Sequence, residues 1–426
     1  MGAAAGYGRE MTPPPAVTRA PVPALAVLFS VVFINLVGFG LIVPLLPFFG
    51  SSLGAPEWQV TLLFAAYSAG QFFAEPFWGR LSDRIGRKPV LLMTLVANAV
   101  GYLLLVFAPN IWAAILIRLF TGLGAGNIST VQGYVADVTP PEKRAGRMGM
   151  IGAAFGLGFI VGPGVGGLLV REDLGAVGFH PPMYLAAAMA ALAALGVILF
   201  LRESRAKADP AVPRQRFLAG LHEAGRNPVV SRVLVVTLIF MAGFAGMEST
   251  FGLWAEQHYD WHAREVGLSF VAVGIVSVVA QGFLTGRLAR RFGESRMLAF
   301  GALVFGVCMA AQVAFANLFP TADWLVPVAM GLTAFGMASV RPNVSALISR
   351  SVDPDQQGAM LGRNMAAGSA ARIFGPIVAG MIYSGLGLDW PFLLAAALSL
   401  PAAVMAINAG RAFRREQTRL AEATGA

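Results

Sequence analysis

Only one of the 426 residues is a cysteine, Cys308. No disulfide can form within the chain, and no thiolate metal cluster can be assembled. Charge is nearly as scarce. Asp, Glu, Lys and Arg make up 12% of the residues, where a soluble domain carries about 25%. Histidines number four, and the two spaced four apart, His258 and His262, bring no third ligand. Zinc needs three or four, so no metal site is expected. There is no Gly-Lys dipeptide anywhere, which excludes a P-loop and an ATP-driven pump of that type. No nucleophile–base pair or metal constellation stands out, so an enzyme is not expected.

What the chain does have is apolar length. Hydrophobic residues make up 57%, mean hydropathy is +0.68, and there are 50 glycines, as expected where helices pack closely in lipid. A membrane helix needs about 20 mostly apolar residues. Twelve such runs are expected, at 24–49, 58–78, 90–108, 112–136, 146–170, 182–201, 230–254, 266–286, 297–316, 324–348, 359–383 and 390–410. The fold class is therefore an all-α membrane protein with twelve transmembrane helices. Residues 1–22, with Pro13, Pro14 and Pro15, read as a disordered cytoplasmic N-terminus. A six-helix bundle at 23–201, a polar linker at 202–229 holding a short surface helix from Phe217 to Arg226, a second bundle at 230–410 and a tail at 411–426 complete the organisation.

The formal charge of +9 would suggest nucleic acid in a soluble protein. Here the cations fall between apolar runs and act as topology signals. With the N-terminus inside, one set of loops holds Arg80, Arg84, Arg87, Lys88, Lys143, Arg144 and Arg147, the linker arginines, Arg287, Arg290, Arg291, Arg296, Arg350 and Arg363, and the tail arginines. The other set holds Arg171 and Arg264. This asymmetry places both termini in the cytoplasm.

The two halves echo each other. Gly79-Arg-Leu-Ser-Asp83-Arg84-Ile-Gly86-Arg87-Lys88 follows the second span, and the frame G-R-L-x-x-R-x-G returns 207 residues later at Gly286 to Gly293. Gly162-Pro163 in the fifth span returns 213 residues later as Gly375-Pro376 in the eleventh, and Pro141 and Pro354 share that offset. Two parallel six-helix repeats of this kind place a substrate site near the midplane between them.

These residues resemble a known family. Gly79 to Lys88 looks like the loop signature of the major facilitator superfamily. Arg118-Leu-Phe-Thr-Gly122-Leu-Gly124-Ala-Gly126 resembles its fourth-helix motif, and Gly158-Phe-Ile-Val-Gly162-Pro163-Gly-Val-Gly166-Gly167 its fifth-helix antiporter motif. Asn35 to Pro47, Tyr134 to Asp137 and Trp254 to Gln281 are similar to the tetracycline/proton antiporters. The resemblance implies a monomeric, proton-coupled exporter of small molecules in a cell inner membrane, with protons as the coupling ion and no other cofactor. It also implies a latch in which Asp83 meets the start of the eleventh helix and Arg87 meets Asp137. Departures are visible too: Asn35 stands where the tetracycline antiporters carry a first-helix acid, Ser277 roughly where they carry a histidine, and Met297 to Ala316 contains no acid. These departures disfavour tetracycline itself as substrate.

Individual residues sharpen the expectation, each beside a plainer alternative. Gly79, Asp83, Arg84, Gly86, Arg87 and Asp137 form either the latch or ordinary topology charge. Gly158, Gly162, Pro163, Gly166, Gly167, Gly375 and Pro376 form either a rocking joint or tight packing. Arg118 must face a cavity or a partner, because charge in lipid costs roughly 2.5–3.5 kcal/mol; it is tied to proton coupling by the resemblance, or it is a hydrogen-bond anchor. Glu248, about six residues or ~9 Å from the end of its span, is the first choice as proton carrier, because a carboxylate in an apolar cavity can exchange protons near neutrality; otherwise it forms a permanent ion pair with Arg118 or Arg372. Arg341 and Arg372 either bind an anionic or zwitterionic substrate or cap backbone carbonyls. Glu75 reads as an interfacial partner for arginines. Asn35, Gln71, Asn127, Gln132, Gln281 and Asn343 either line the cavity or bond between helices, and Phe39, Tyr67, Met241, Phe244, Met247 and Trp254 offer an apolar wall. A uniporter or importer of an anionic metabolite is the competing function, and a non-transporting receptor a remote one.

Overall fold

A computed structural model describes residues 22–204 and 227–424. The N-terminal segment before Val22 and the expected surface helix at 217–226 lie outside the described residues.

Among the described residues twelve helical rods follow in order. Rod α1 is Val22–Ile42, continued by a 3-10 turn at Val43–Leu45 and by Leu46–Ser52. Pro44 and Pro47 lack the amide donors an α-helix needs there, which accounts for the tightened turn. Then come α2 (Glu57–Ile85), α3 (Arg87–Val106), α4 (Ile111–Gly124 and Asn127–Val138), α5 (Pro141–Leu169) and α6 (His180–Phe200). The second half has α7 (Pro228–Tyr259), α8 (Ala263–Val279, a π turn at Ala280–Leu284, and Thr285–Phe292), α9 (Glu294–Leu318), α10 (Leu325–Arg350), α11 (Pro354–Leu386) and α12 (Trp390–Thr424). Eleven rods among the described residues are long and apolar enough to cross a membrane. The exception is α2, which is long enough but carries Glu57, Gln59, Gln71, Glu75, Arg80, Asp83 and Arg84.

Three sequence expectations are corrected. Gly79 to Ile85 is not loop: α2 runs on to Ile85, and the turn is Gly86 alone, at φ 106°. The repeat matches it, with helix through Phe292 and Gly293 at φ 86°. Only glycine adopts such angles without strain. The fourth span is broken at Ala125–Gly126 rather than continuous. The twelfth helix does not end at 410 but continues to Thr424, because Arg, Glu, Gln, Leu and Ala favour helix after the apolar run stops. The seventh helix begins at Pro228, with the Asn227 side chain accepting from the Val229 and Val230 amides, as a capping residue does.

Within the first half α1 packs on α5 and α6, α2 on α4, and α3 on α6; within the second, α7 packs on α11 and α12, and α9 on α10 and α12. The halves meet along α2–α11 and α5–α8. The glycine stripe makes these contacts possible. A Cβ on Gly162 would lie 2.7 Å from the Gly40 Cα, and one on Gly166 would lie 2.5 Å from the Leu41 carbonyl oxygen, both on α1. A Cβ on Gly167 would lie 2.7 Å from the Ala263 carbonyl oxygen, on α8 of the other half. The repeat does the same: Gly375 abuts Ala242 of α7, and Gly380 abuts Thr61 and Trp58 of α2.

Candidate functional site: a charged pocket at the head of a central cavity

The chain's two ends differ. At the end away from the Lys/Arg-rich loops the halves are joined. Ser384 Oγ donates to Glu57 Oε2 at 3.2 Å. The Ala263 amide donates to Glu172 Oε1 at 2.6 Å, and His262 Nδ1 lies 2.9 Å from Glu172 Oε2. Gly252 of α7 packs against Pro47 and Phe48 of α1. At the basic end the same rods diverge. Around Gly146 and Gly152 of α5, Gly282 and Gly286 of α8, and Gly358 and Gly362 of α11, an added Cβ would meet nothing within 4 Å. Contacts between the halves thus bridge the far end, and the packing around these basic-end glycines is open.

Between the halves sits a pocket lined by α1, α2, α4, α7 and α11, with Phe39, Phe64, Tyr67, Arg118, Glu248 and Arg372 in its wall. Arg118 is 2% exposed and Glu248 6%. Arg118 Nε donates to the Leu63 carbonyl oxygen at 3.3 Å, and its guanidinium lies 4.3 Å from the centre of the Tyr67 ring. A desolvated cation–π contact stabilises by about 2 kcal/mol. Local sequence puts Arg118 there: Gly70 and Gly122 let α2 and α4 touch backbone to backbone, Gly122 against Tyr67 and Gly70 against Leu119. Glu248 Oε2 stands 4.0 Å from Arg372 Nη2. Among the described residues no ion pair joins Glu248 to Arg118. Glu248 Oε1 and Arg118 Nη1 are both buried and make no hydrogen bond. The cation paired with Glu248 among the described residues is thus Arg372.

The α4 break has its own logic. A Cβ on Gly126 would lie 2.6 Å from Trp78 Cδ1, and the Trp78 indole N–H donates to the Leu123 carbonyl oxygen at 2.6 Å. The indole takes up a carbonyl that the interrupted helix leaves free.

The remaining expected site residues scatter. Asn35 accepts from Asn98 Nδ2 at 3.4 Å. Asn127 is buried at the start of the second part of α4. Gln71 and Gln132 are half-buried, and Gln281 is exposed on the π turn of α8, where Thr285 Oγ1 donates to the Ala280 carbonyl. Asn343 is buried and donates to the Ser339 carbonyl of its own helix. Arg341 is exposed, and no side-chain partner is found for it among the described residues. Phe39 and Tyr67 line the pocket with rings 5.4 Å apart; Met247 and Trp254 lie buried. Pro376 borders the pocket as well.

At the basic end Arg87 gathers Asp83 (2.9 Å), Asp137 (3.1 Å) and Ser82 Oγ (2.6 Å). A Cβ on Gly133 would strike the Arg87 guanidinium. Arg84 is exposed, and Gly79 faces Ser129. Sequence reasoning missed Glu203. Its carboxylate accepts from the Arg87 and Lys88 amides at 2.8 and 3.0 Å, capping the positive end of α3. Nothing in the local sequence marks it, since it lies 116 residues away. Asp389 was missed as well; it accepts from Trp254 Nε1 (2.8 Å) and Asn317 Nδ2 (3.0 Å) and lies 3.0 Å from His258 Nε2. The two histidines thus serve separate carboxylates.

Membrane-length helices in two like halves with a charged pocket between them are the architecture of a secondary transporter. The Major Facilitator Superfamily profile matches residues 28–283 and 249–424, and the chain belongs to that family. It is 31% identical over 374 residues to the tetracycline resistance protein, class C, of Escherichia coli, covering 86% of this chain and 91% of that protein. It is 28% identical to multidrug resistance protein 2 of Bacillus subtilis, covering 87% and 90%. It is 24% identical to the quinolone resistance protein NorA of Staphylococcus aureus, covering 89% and 95%. Among solved structures it resembles the human organic anion transporter MFSD10 (TM-score 0.66, 24% identity, 91% and 100% covered). It also resembles a POT family transporter (TM-score 0.76, 13% identity, 91% and 96% covered). The chain is a multi-pass membrane transporter whose relatives include drug-resistance proteins.

Proposed function

We propose that this protein is a proton-driven antiporter that exports amphipathic small molecules by alternating access, as a monomer in a cell inner membrane with both termini cytoplasmic. The observation that carries the reading is Glu248: a carboxylate buried in the pocket between the halves, with Arg372 4.0 Å from one oxygen and no hydrogen bond to the other among the described residues. In this reading the cavity opens to the cytoplasm, and the six-helix bundles rock as units about the α2–α11 and α5–α8 seams. A proton arriving on Glu248 neutralises it and loosens Arg372; a departing proton restores the pair. Arg118 holds the opposite wall. The Arg87–Asp83–Asp137 cluster serves as the basic-end latch, with protons as the coupling ion and no further cofactor. Each inward proton supplies ~2.3 kcal/mol per 100 mV. The names of the bacterial relatives, resistance to tetracycline and quinolones among them, support drug-like cargo.

A second reading has one specific observation behind it. Arg341 is exposed and without a side-chain partner among the described residues, Arg372 borders the pocket, and two such cations suit an anionic or zwitterionic metabolite carried by facilitated diffusion. Purified protein in vesicles separates the two. Substrate-dependent proton flux that is lost in Glu248→Gln is the expected result. Transport that persists without a pH gradient and is unchanged in the variant supports the second reading instead.

A further inference from the structure

The two halves treat the start of one helix differently. In the first half Glu203, just beyond α6, accepts from the Arg87 and Lys88 amides at the start of α3. Its carboxylate fills the space beside Gly86, where a Cβ would strike it. The repeat offset of 207 carries Gly86, Lys88 and Glu203 onto Gly293, Ser295 and Gly410. The structure keeps the match: a Cβ on Gly410 of α12 would run into the Ser295 side chain at the start of α9. The carboxylate, however, has no counterpart. A Cβ on Gly293 would meet nothing within 4 Å, and α9 has no side-chain cap. Glu294 turns to Arg350 instead. Ser295 is 8% exposed and makes no side-chain hydrogen bond among the described residues. Uncapped amides and the helix dipole at such an end favour an anion.

Arginines flank the same spot. Arg296 and Arg411 stand where the first half has Pro89 and Ser204. Gly306 of α9 packs against Ser399 of α12, and Ser295 against Gly410, so the two helices run antiparallel. One residue further along a helix is a rotation of about 100°. In an antiparallel pair that step swings both side chains to the same side of the contact. Arg296 and Arg411 are both exposed and pair with no carboxylate among the described residues; Arg411 reaches only Asn408 of its own helix, at 3.4 Å. The same side is apolar further in. Phe300, Leu303 and Val307 on α9, and Leu400, Val404 and Ile407 on α12, are all exposed at the spacing of a single helix face.

We propose that the start of α9, with Arg296 and Arg411, binds the phosphate of an anionic membrane phospholipid whose acyl chains lie along the apolar strip of α9 and α12. The phosphate does for α9 what Glu203 does for α3: it accepts from the end amides and answers the positive pole of the helix. The arginines add charge-assisted hydrogen bonds. A lipid is the occupant rather than free phosphate, because the exposed apolar strip continues directly from the arginines. A net negative headgroup is favoured over a zwitterionic one, since a choline would bring its own cation against both arginines. The first half carries its anion in the chain, and the second takes one from the membrane.

The test uses the full-length protein in mild detergent, with bound lipid counted by native mass spectrometry. The probes are dioleoylphosphatidylglycerol, dioleoylphosphatidylcholine with the same tails, and glycerol 3-phosphate with none. One cation at an anionic headgroup strengthens binding about fivefold. Two are therefore expected to make the phosphatidylglycerol bind roughly 25-fold more tightly than the phosphatidylcholine, and the preference falls as salt is raised. Glycerol 3-phosphate does not displace the lipid. Arg296→Gln combined with Arg411→Gln loses most of the preference. Lys143→Gln combined with Arg144→Gln removes the same charge from exposed residues at the same end of the first half, and keeps it. Melting curves report whether each variant folds, and the wild-type lipid ranking stands without them. Equal binding of the two lipids overturns the proposal. So does displacement by glycerol 3-phosphate, which marks a site for free phosphate, or an equal loss in both double variants, which marks diffuse surface charge.

Discussion

Glu172 sits on the first half, and its carboxylate spans to the second: one oxygen accepts from the Ala263 amide at 2.6 Å and the other lies 2.9 Å from His262 Nδ1. Ala263 opens α8, so the carboxylate also faces the positive end of a helix. If this contact holds the far end shut, weakening it must shift the balance between the closed and open far end. A carboxylate at a helix N-terminus contributes about 0.3–1 kcal/mol when exposed and up to ~2 kcal/mol when partly buried. The side chain is 28% exposed, so Glu172→Gln, which keeps an acceptor but drops the charge, is expected to cost about 1 kcal/mol. Glu172→Ala removes the hydrogen bond as well and is expected to cost about 2 kcal/mol. Since 1.4 kcal/mol is tenfold, these correspond to roughly fivefold and thirtyfold gains in the far-end-open population. Paired spin labels read this directly. In a Cys308→Ser background, labels at Ser51 and Thr321 span the far end, and labels at Lys143 and Gly286 span the basic end. The expected outcome is a longer far-end distance and a shorter basic-end distance, larger in the alanine variant. Distance distributions identical to the parent's in both variants would refute the claim that this contact latches the far end.

Two further outcomes follow from packing and charge. Gly166→Leu forces a side chain onto the Leu41 carbonyl and is expected to cost about 1–3 kcal/mol of stability, read as a lower melting temperature. Gly358→Leu, in open space, is expected to melt with the parent, and an equal loss at both sites would contradict an open basic end. Arg87→Gln strips the shared cation from Asp83 and Asp137. Both acids keep some water, so the expected loss is about 1–3 kcal/mol rather than the 3–5 of a fully buried pair, and it shrinks when Asp137→Asn is added.

The architecture was legible in the chain because lipid imposes it: a helix must be about 20 apolar residues long to span, and cations mark one side. The recurrence of Gly162-Pro163 as Gly375-Pro376 announced the two halves, and the structure shows Gly167 and Gly380 at the equivalent seams between them. Glu248, Arg118 and Arg372 stood out as charges inside apolar runs, and all three line one pocket. The same reasoning failed for Asn343, because an Asn in a span can equally bond its own helix, as this one does with Ser339. It failed to end α12, because hydropathy stops where helix propensity does not.

What the sequence determined by itself, then, is set by local composition and period: the number of spans, their approximate limits, the repeat, and which charged residues needed a reason to be inside. Tertiary structure alone decided how those charges pair. Arg118 is anchored to the Leu63 carbonyl and the Tyr67 ring while Glu248 turns to Arg372, because backbone-to-backbone contact at Gly70 and Gly122 sets the distance between rods. Glu203 caps α3 from 116 residues away, and Trp78 holds the break in α4. Such contacts depend on the angle and separation of rods distant in the chain, and no local pattern of residues encodes them.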